Sequence, residues 1–193
     1  ILSKISGEVF KNYQVSNITR SENNVRVSIG NEHIDYDHVV LASHADQSLK
    51  MIKDPTDEER DILTKFSYVF NSAYLHKDEN LMPIRKSAWS SWNSITKENK
   101  TCVTYWLNKL QNLKTNKNYF LTLNPVERIN EKNIIKKVNF THPYFNNENV
   151  NLQKNLYKIQ GKKRTWYCGS YFGYGFHEDG LKSSMELLEK FKN

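Results

Sequence analysis

Thr165-Trp-Tyr-Cys-Gly169, continued by Ser170-Tyr-Phe-Gly-Tyr-Gly-Phe-His-Glu-Asp-Gly180, is the stretch on which the fold turns. Arg164 through Cys168 is short and largely apolar, and reads as a strand. Gly169, Gly173 and Gly175 then fall within seven residues, where glycine permits positive φ and close backbone approach. From about Glu178 to Phe191, the residues Leu181, Met185, Leu188 and Phe191 recur on one stripe, the apolar face of an amphipathic helix. The start of that helix would point free N–H groups and partial positive charge into the glycine loop, a setting suited to a phosphate or an electron-rich ring edge. The same spacing suits an ordinary strand-to-helix connection whose glycines serve turns alone.

Upstream, Asp37-His-Val-Val-Leu-Ala42 is short, apolar and β-branched at two positions, as in a strand of a parallel sheet buried on both faces. Ser43-His-Ala-Asp-Gln47 then opens a helix that runs to about Lys53. Before it, Val9, Tyr13–Val15, Ile18 and Val25–Ile29 read as short strands, with Ser21–Asn24 as a turn and Glu32–Tyr36 following. A second helix starts at Asp54-Pro55-Thr56. Either Asp54 caps it with Pro55 in the first helical position, or Thr56 caps it with Glu59 reaching back. Ile62, Leu63 and Phe66 supply its buried side.

From Tyr68 the pattern predicts strands at Tyr68–Phe70, Ala73–Leu75, Cys102–Leu107, Tyr119–Leu123 and Val138–Phe140, with loops at 95–100 and 114–118. This middle region reads as a mostly antiparallel sheet. Val150, Leu152, Leu156 and Ile159 suggest a helix that stops at Gly161.

A chain of 193 residues, 38% hydrophobic and 25% charged, is long enough to bury a core and has the composition of a globular protein. No apolar run approaches the roughly 20 residues of a membrane span, so no transmembrane segment is expected. Nor does the start read as a secretory leader. Cys102 and Cys168 stand far apart without a CxxC partner, which fits a reducing cytoplasm and indicates neither a disulfide framework nor a zinc site. His177-Glu178 lacks the second histidine a zinc helix needs, since Leu181 occupies that position, and no metal is expected. The net charge of +7 is scattered apart from Lys162–Arg164, and reads as a solvated surface; no nucleic acid partner is expected. His44, His76 and His142 stand alone, and Ser43-His44 lacks the setting of a hydrolytic nucleophile. Trp89, Trp92, Tyr105, Trp106 and Tyr74 concentrate aromatic surface in the middle region, as core or as the wall of an apolar pocket.

Several of these stretches together resemble the amine-oxidase-like flavoproteins, the group that includes monoamine oxidases and phytoene-type desaturases, in the branch described as predicted NAD/FAD-binding proteins. The matching segments are Asp37–Gln47, Trp89–Asn93, Val103–Asn108, Leu121–Pro125, His142-Pro143 and Trp166–Gly180, in the family's order along nearly the whole chain. The resemblance implies an α+β (mixed α/β) fold. It comprises a partial, discontinuous FAD-binding domain at 1–47 and 161–193 and an inserted, mostly antiparallel substrate-binding domain at 48–160. Carried over by position, Ala42, Cys168, Gly169, Phe176, Glu178, Asp179, Gly180 and Leu181 are the FAD contacts, with Phe176 beside the flavin face. Trp89, Trp92, Tyr105 and Phe176 are candidate walls for a small-molecule substrate. The family suggests hydride transfer from substrate to FAD, and no catalytic acid or base stands out. The alternatives are a flavin-dependent desaturase or isomerase acting on an apolar, lipid-like substrate, and a non-catalytic basic binding module.

One departure is large. The family's G-x-G-x-x-G fingerprint binds the ADP half of the dinucleotide, and the glycines here, Gly7, Gly30, Gly161, Gly169, Gly173, Gly175 and Gly180, nowhere form it. With Ile1 in place of an initiator methionine, the expectation is an N-terminal segment, missing from this sequence, that carries the fingerprint. The chain alone is then expected to bind FAD weakly or not at all and to be inactive.

Overall fold

The computed structural model describes residues 2–192. Along the chain run β1 (Asn17–Arg20), β2 (Val25–Ile29), β3 (Glu32–Tyr36), β4 (Val39–Leu41), α1 (Ala45–Met51), α2 (Asp57–Leu63), β5 (Tyr68–His76) and β6 (Trp92–Lys97). They are followed by β7 (Lys100–Trp106), α3 (Leu107–Leu110), β8 (Phe120–Leu123), β9 (Ile134–Pro143), α4 (Asn147–Leu152), β10 (Thr165–Tyr167) and α5 (His177–Lys192). The fold is α+β, and the chain divides into two compact units. One joins the residues up to Ser67 with those from Pro143 onward; the other is Tyr68–His142. The borders between these compact units fall at 67/68 and 142/143. No helix among the described residues is long and apolar enough to cross a membrane.

In the first unit, β1, β2 and β3 form an antiparallel meander in which Ile18 pairs with Val27 and Val27 with Ile34. Alternation buries Ile18, Val25 and Val27 on one face. Gly30, at φ +59°, opens the turn between β2 and β3. No strand forms at Val9 or at Tyr13–Val15: those residues are irregular, their apolar side chains largely exposed. Asn12 sits at φ +63°, and alternation there has no partner strand to answer it.

The helix after Asp54 starts with the Thr56–Glu59 capping box. Glu59 N–H donates to Thr56 Oγ1 at 3.1 Å and Thr56 N–H to Glu59 Oε2 at 2.8 Å. The same Glu59 carboxylate is buried against the Arg20 guanidinium (2.5 Å) and accepts from the Tyr167 hydroxyl at 2.7 Å. Asp54 takes Arg20 Nε at 3.3 Å and Lys163 at 3.2 Å. One buried ionic cluster thus ties β1, α2 and β10 together, which is why α2 lies in this unit. Burial opposes the Glu59 charge, but the hydrogen bonds from Arg20, Thr56 and Tyr167 outweigh it and hold the carboxyl at about 2. α1 is drawn in likewise, with Ile52 bridging to Ile18 and Lys53 N–H donating to Ile18 C=O.

β4 and β10 pair in parallel, Val39 with Thr165 and Leu41 with Tyr167. The helix expected up to Ile159 is α4 followed by a 3₁₀ stretch, Gln153–Lys158. α5 forms as the spacing predicts, but its apolar stripe does not enter the core. Leu181 is 58% and Met185 54% exposed, while Ser183 and Leu187 on the opposite side are buried. Phe191 packs edge-on to Trp166 and His38.

The second unit is a five-stranded sheet in the order β6-β7-β8-β5-β9. The expected loop at 95–100 is instead a hairpin between β6 and β7, with Glu98 and Asn99 both at positive φ as a type I′ turn requires. The strands expected at Tyr68–Phe70 and Ala73–Leu75 are one, and β9 is longer than the run at 138–140. Leu81, Cys102 and Ile129 pack together in one cluster, and Met82, Trp89 and Phe120 in another.

Beneath the sheet's face lies a buried polar chain. Asp78 N–H donates to His76 Nδ1 at 3.1 Å, which leaves Nε2 as the donor to Thr122 Oγ1 at 2.7 Å. Thr122 and Thr104 then share a hydroxyl bond of 2.8 Å. Burial pulls the His76 pKa below the ordinary imidazole value and keeps the ring neutral.

Candidate functional site

The two parallel strands of the first unit end side by side at Leu41 and Tyr167, and each runs into a helix through a short loop. Cys168 N–H donates to Leu41 C=O at 3.2 Å and extends the pairing by one rung. In open α/β sheets the crevice beyond such carboxyl ends is where ligands sit. Ala42, Cys168, Gly169, Phe176, Glu178, Asp179, Gly180 and Leu181 all belong to this end of the unit.

The glycine loop is held mainly by its own side chains. Gly169 (φ +153°, ψ 170°) occupies a region reserved for glycine, and a Cβ there would lie 2.8 Å from the Tyr171 ring. Its N–H donates to Ser183 Oγ at 3.0 Å, which in turn donates to Gly180 C=O at 2.8 Å, clamping α5 to the end of β10. Asp179 turns back on the loop, where Oδ2 accepts from Tyr174 N–H (3.0 Å) and Phe176 N–H (2.9 Å). Gly173 leaves room for that carboxylate, since a Cβ would meet it at 2.3 Å. At Gly175, φ +92°, a Cβ would lie 3.0 Å from the Phe145 ring. The glycines that drew the eye as a ligand cradle are accounted for by Tyr171, Asp179 and Phe145.

What remains open is the mouth of the crevice. Ala42, Phe176, Glu178 and Leu181 are exposed, a Cβ at Gly180 would meet only Ser170 N at an ordinary 3.7 Å, and Cys168 is buried. The first turn of α5 adds the positive end of a sixteen-residue helix. Beside β4 an apolar hollow of about 240 Å³, lined by Val15, Val27, Val40 and Met51 among others, reaches Ala42 and Ser43. Among the described residues no cluster of histidine, cysteine and carboxylates stands ready for a metal.

The two edges of the parallel pair differ. Tyr167 on β10 is closed by the Gln160 amide, which accepts from its N–H at 2.9 Å and donates to its C=O at 2.6 Å. β4 has no strand neighbour other than β10 among the described residues, and Val40 is 48% exposed. Ser183 and Gln160 went unmarked in the sequence, because neither a lone serine in a helix nor a glutamine before a turn carries a pattern.

The aromatic residues separate. Trp89 is buried, donates its indole N–H to Pro83 C=O at 2.7 Å and packs edge-on to Trp106 and Phe120, so it is part of the core. Trp92 and Tyr105 are cross-strand partners stacked at 5.3 Å, with Trp92 open to solvent. All three lie in the second unit, and Phe176 in the first.

No protein-family profile and no curated protein matches the chain. Solved structures do. A CLA-producing fatty acid isomerase from P. acnes overlays with a TM-score of 0.70 at 15% identity, covering 98% of this chain and 49% of the isomerase. The chain shares that fold. A triple mutant of putrescine oxidase, from a redesign of its cofactor binding, overlays at 0.64 and 9% identity, covering 99% of this chain and 51% of the oxidase. Cyclohexylamine oxidase from Brevibacterium oxydans IH-35A overlays at 0.55 and 9% identity, covering 94% and 49%. The chain therefore spans about half the length of the structures it matches.

Proposed function

We propose that this chain is part of a flavin-dependent oxidoreductase and carries one side of its FAD site, the rest lying on a segment that bears a G-x-G-x-x-G turn. The observation that carries the reading is the parallel β4–β10 pair. Two strands alone are a fragment of a sheet that normally has both faces and further strands covered. Here β10 is closed off while β4 and the α5 stripe stay open, on a fold shared with oxidases about twice as long.

The residues fit one edge of such a cofactor. Ala42, Phe176 and Leu181 offer apolar surface, Gly180 lets backbone come close, and Gly169 holds the end of β10 against α5. Asp179 shapes the loop by accepting its N–H groups, Glu178 stands at the helix start, and the Cys168 side chain packs beneath. They do not form a pyrophosphate cradle. FAD, when bound, supplies the hydride acceptor. Trp92 and Tyr105 present a stacked face for a small apolar substrate, while Trp89 packs in the core. The overlay on the isomerase, tighter than on the two oxidases, favours a second reading, a lipid-like substrate rearranged without net oxidation.

Sequencing upstream of the codon for Ile1 should reveal a strand followed by G-x-G-x-x-G, and the protein made with that segment should copurify with flavin. A yellow preparation of this chain alone, with one flavin per chain, would overturn the shared site. Product analysis without oxygen separates the two chemistries: an isomerase turns over repeatedly, whereas an oxidase stops after one equivalent of reduced flavin.

A further inference from the structure

We infer that one end of the five-stranded sheet in the second unit attaches to an anionic lipid surface. β5 ends there at His76, β6 begins at Trp92, β7 ends at Trp106 and β8 begins at Phe120, as the pairs His76–Phe120, Trp106–Phe120 and Trp92–Tyr105 show. Two of the connections at this end, 77–91 and 107–119, are joined by Lys109 Nζ donating to Trp89 C=O and by Asn118 donating to Glu79. The chain returns here at Glu131–Asn133, where Glu131 pairs with Arg128.

Three apolar side chains protrude from this end. Ile84 is fully exposed, Trp92 is 66% and Leu110 51% exposed. An isoleucine wholly in water gains nothing from the fold, and the neighbouring Leu81 and Met82 show that the same loop buries apolar residues where it packs. Around them stand Arg85, Lys86, Lys109, Lys114 and Lys117, all exposed. On the same connections the carboxylates are Asp78, which is buried and accepts from Asn80 and Asn130 N–H groups, and Glu79, which pairs with Lys86 at 3.0 Å. Arg85, Lys109, Lys114 and Lys117 have no carboxylate within salt-bridge distance among the described residues. The charge that looked scattered along the sequence is gathered here by topology.

This combination fits a bilayer better than a polyanion such as RNA. Cations next to a membrane each contribute on the order of 1 kcal/mol, while aliphatic tips enter the acyl boundary and a tryptophan sits at headgroup level. Phosphates alone give Ile84 and Leu110 nothing to bury against. The attachment is peripheral and needs no bound flavin, and it uses Trp92, which is also one ring of the proposed substrate face.

The test is sedimentation of the full chain with vesicles of phosphatidylcholine, with and without phosphatidylserine, at low and high salt. The chain should partition onto the anionic vesicles and be released by salt. Ile84→Ser should weaken partition about tenfold, the scale of one buried aliphatic side chain, and Arg85→Glu by about tenfold or more. Both positions are solvent-exposed, so thermal unfolding should be unchanged and a folding defect can be told apart. Wild-type protein left in solution with anionic vesicles at low salt overturns the inference. So does binding that neither substitution weakens, or salt-sensitive binding to RNA without binding to vesicles.

Discussion

The two units differ in how far each completes itself. Tyr68–His142 builds a five-stranded sheet, seats Trp89 and Phe120 in a core and satisfies a buried histidine from both sides. The flanking unit spends its strongest interactions on one ionic cluster, Arg20, Asp54, Glu59 and Tyr167, and still leaves a parallel strand edge and an apolar helix stripe open. If the proposed FAD site is shared with a further segment, these open faces of the first unit are where that segment would pack.

The largest test of that contrast is Arg20→Met. It leaves Glu59 buried without its cation, and breaking a buried pair in this way typically costs about 3–5 kcal/mol. Hydrogen exchange should show protection lost in β1, α2 and β10 while β7 and β8 keep theirs; an equal loss in both units would erase the distinction. The same cluster sets an acid limit. The Glu59 pKa falls on folding from 4.5 to about 2, so its contribution is complete above 4.5 and is lost as pH drops towards 2.

Next in size is Gly169→Ala, expected to cost about 1–3 kcal/mol from a backbone region closed to other residues and a contact with the Tyr171 ring. Because the neighbour is Tyr171 and not a ligand, the loss should appear in thermal unfolding of the chain without any cofactor. A substitution that is silent without cofactor and harmful only with it would restore the glycine loop as a ligand cradle.

These two sites show what the sequence discloses and what it hides. The Thr56–Glu59 cap, the strand at β4 and the strand before Gly169 are local patterns, set by chemistry within a few residues, and they were legible. However, β4 is not buried on both faces as its apolar run suggested, since Val40 is 48% exposed. The pairing of Arg20 with Glu59 across 39 positions has no local signal. The hairpin at Glu98-Asn99 lacks the glycine that marks a type I′ turn, so a polar run read as a loop. The glycine spacing was visible but ambiguous, since a ligand and a neighbouring side chain exclude a Cβ in the same way. The stripe on α5 was read correctly as a helix face, yet periodicity says only that a face is apolar and nothing about what covers it.

A smaller, pH-dependent difference separates the units further. Burial lowers the His76 pKa, so the unfolded chain binds its proton more readily than the folded one. The second unit should therefore be most stable above about 6.5 and lose stability as pH falls below it, before the Glu59 window of the first unit is reached. Denaturant titrations from pH 8 to pH 4, followed by probes in each unit, should show the sheet weakening first. His76→Gln, which removes the titrating ring, should flatten that slope even where it lowers stability overall.

The smallest effect on the chain itself is the most informative about its open side. Met185→Ser changes a side chain 54% exposed on the apolar stripe of α5, and such surface changes usually stay within about 0.5 kcal/mol. If the stripe faces a missing segment, the same substitution should be costly once that segment is present, because the side chain is then buried and its loss leaves a cavity. Flavin retention and thermal stability of the completed protein should fall, while the chain alone is unchanged. Equal tolerance in both contexts would mean that α5 faces solvent in the whole protein too, and the open edge of β4 would then be the only sign that the first unit is half of something larger.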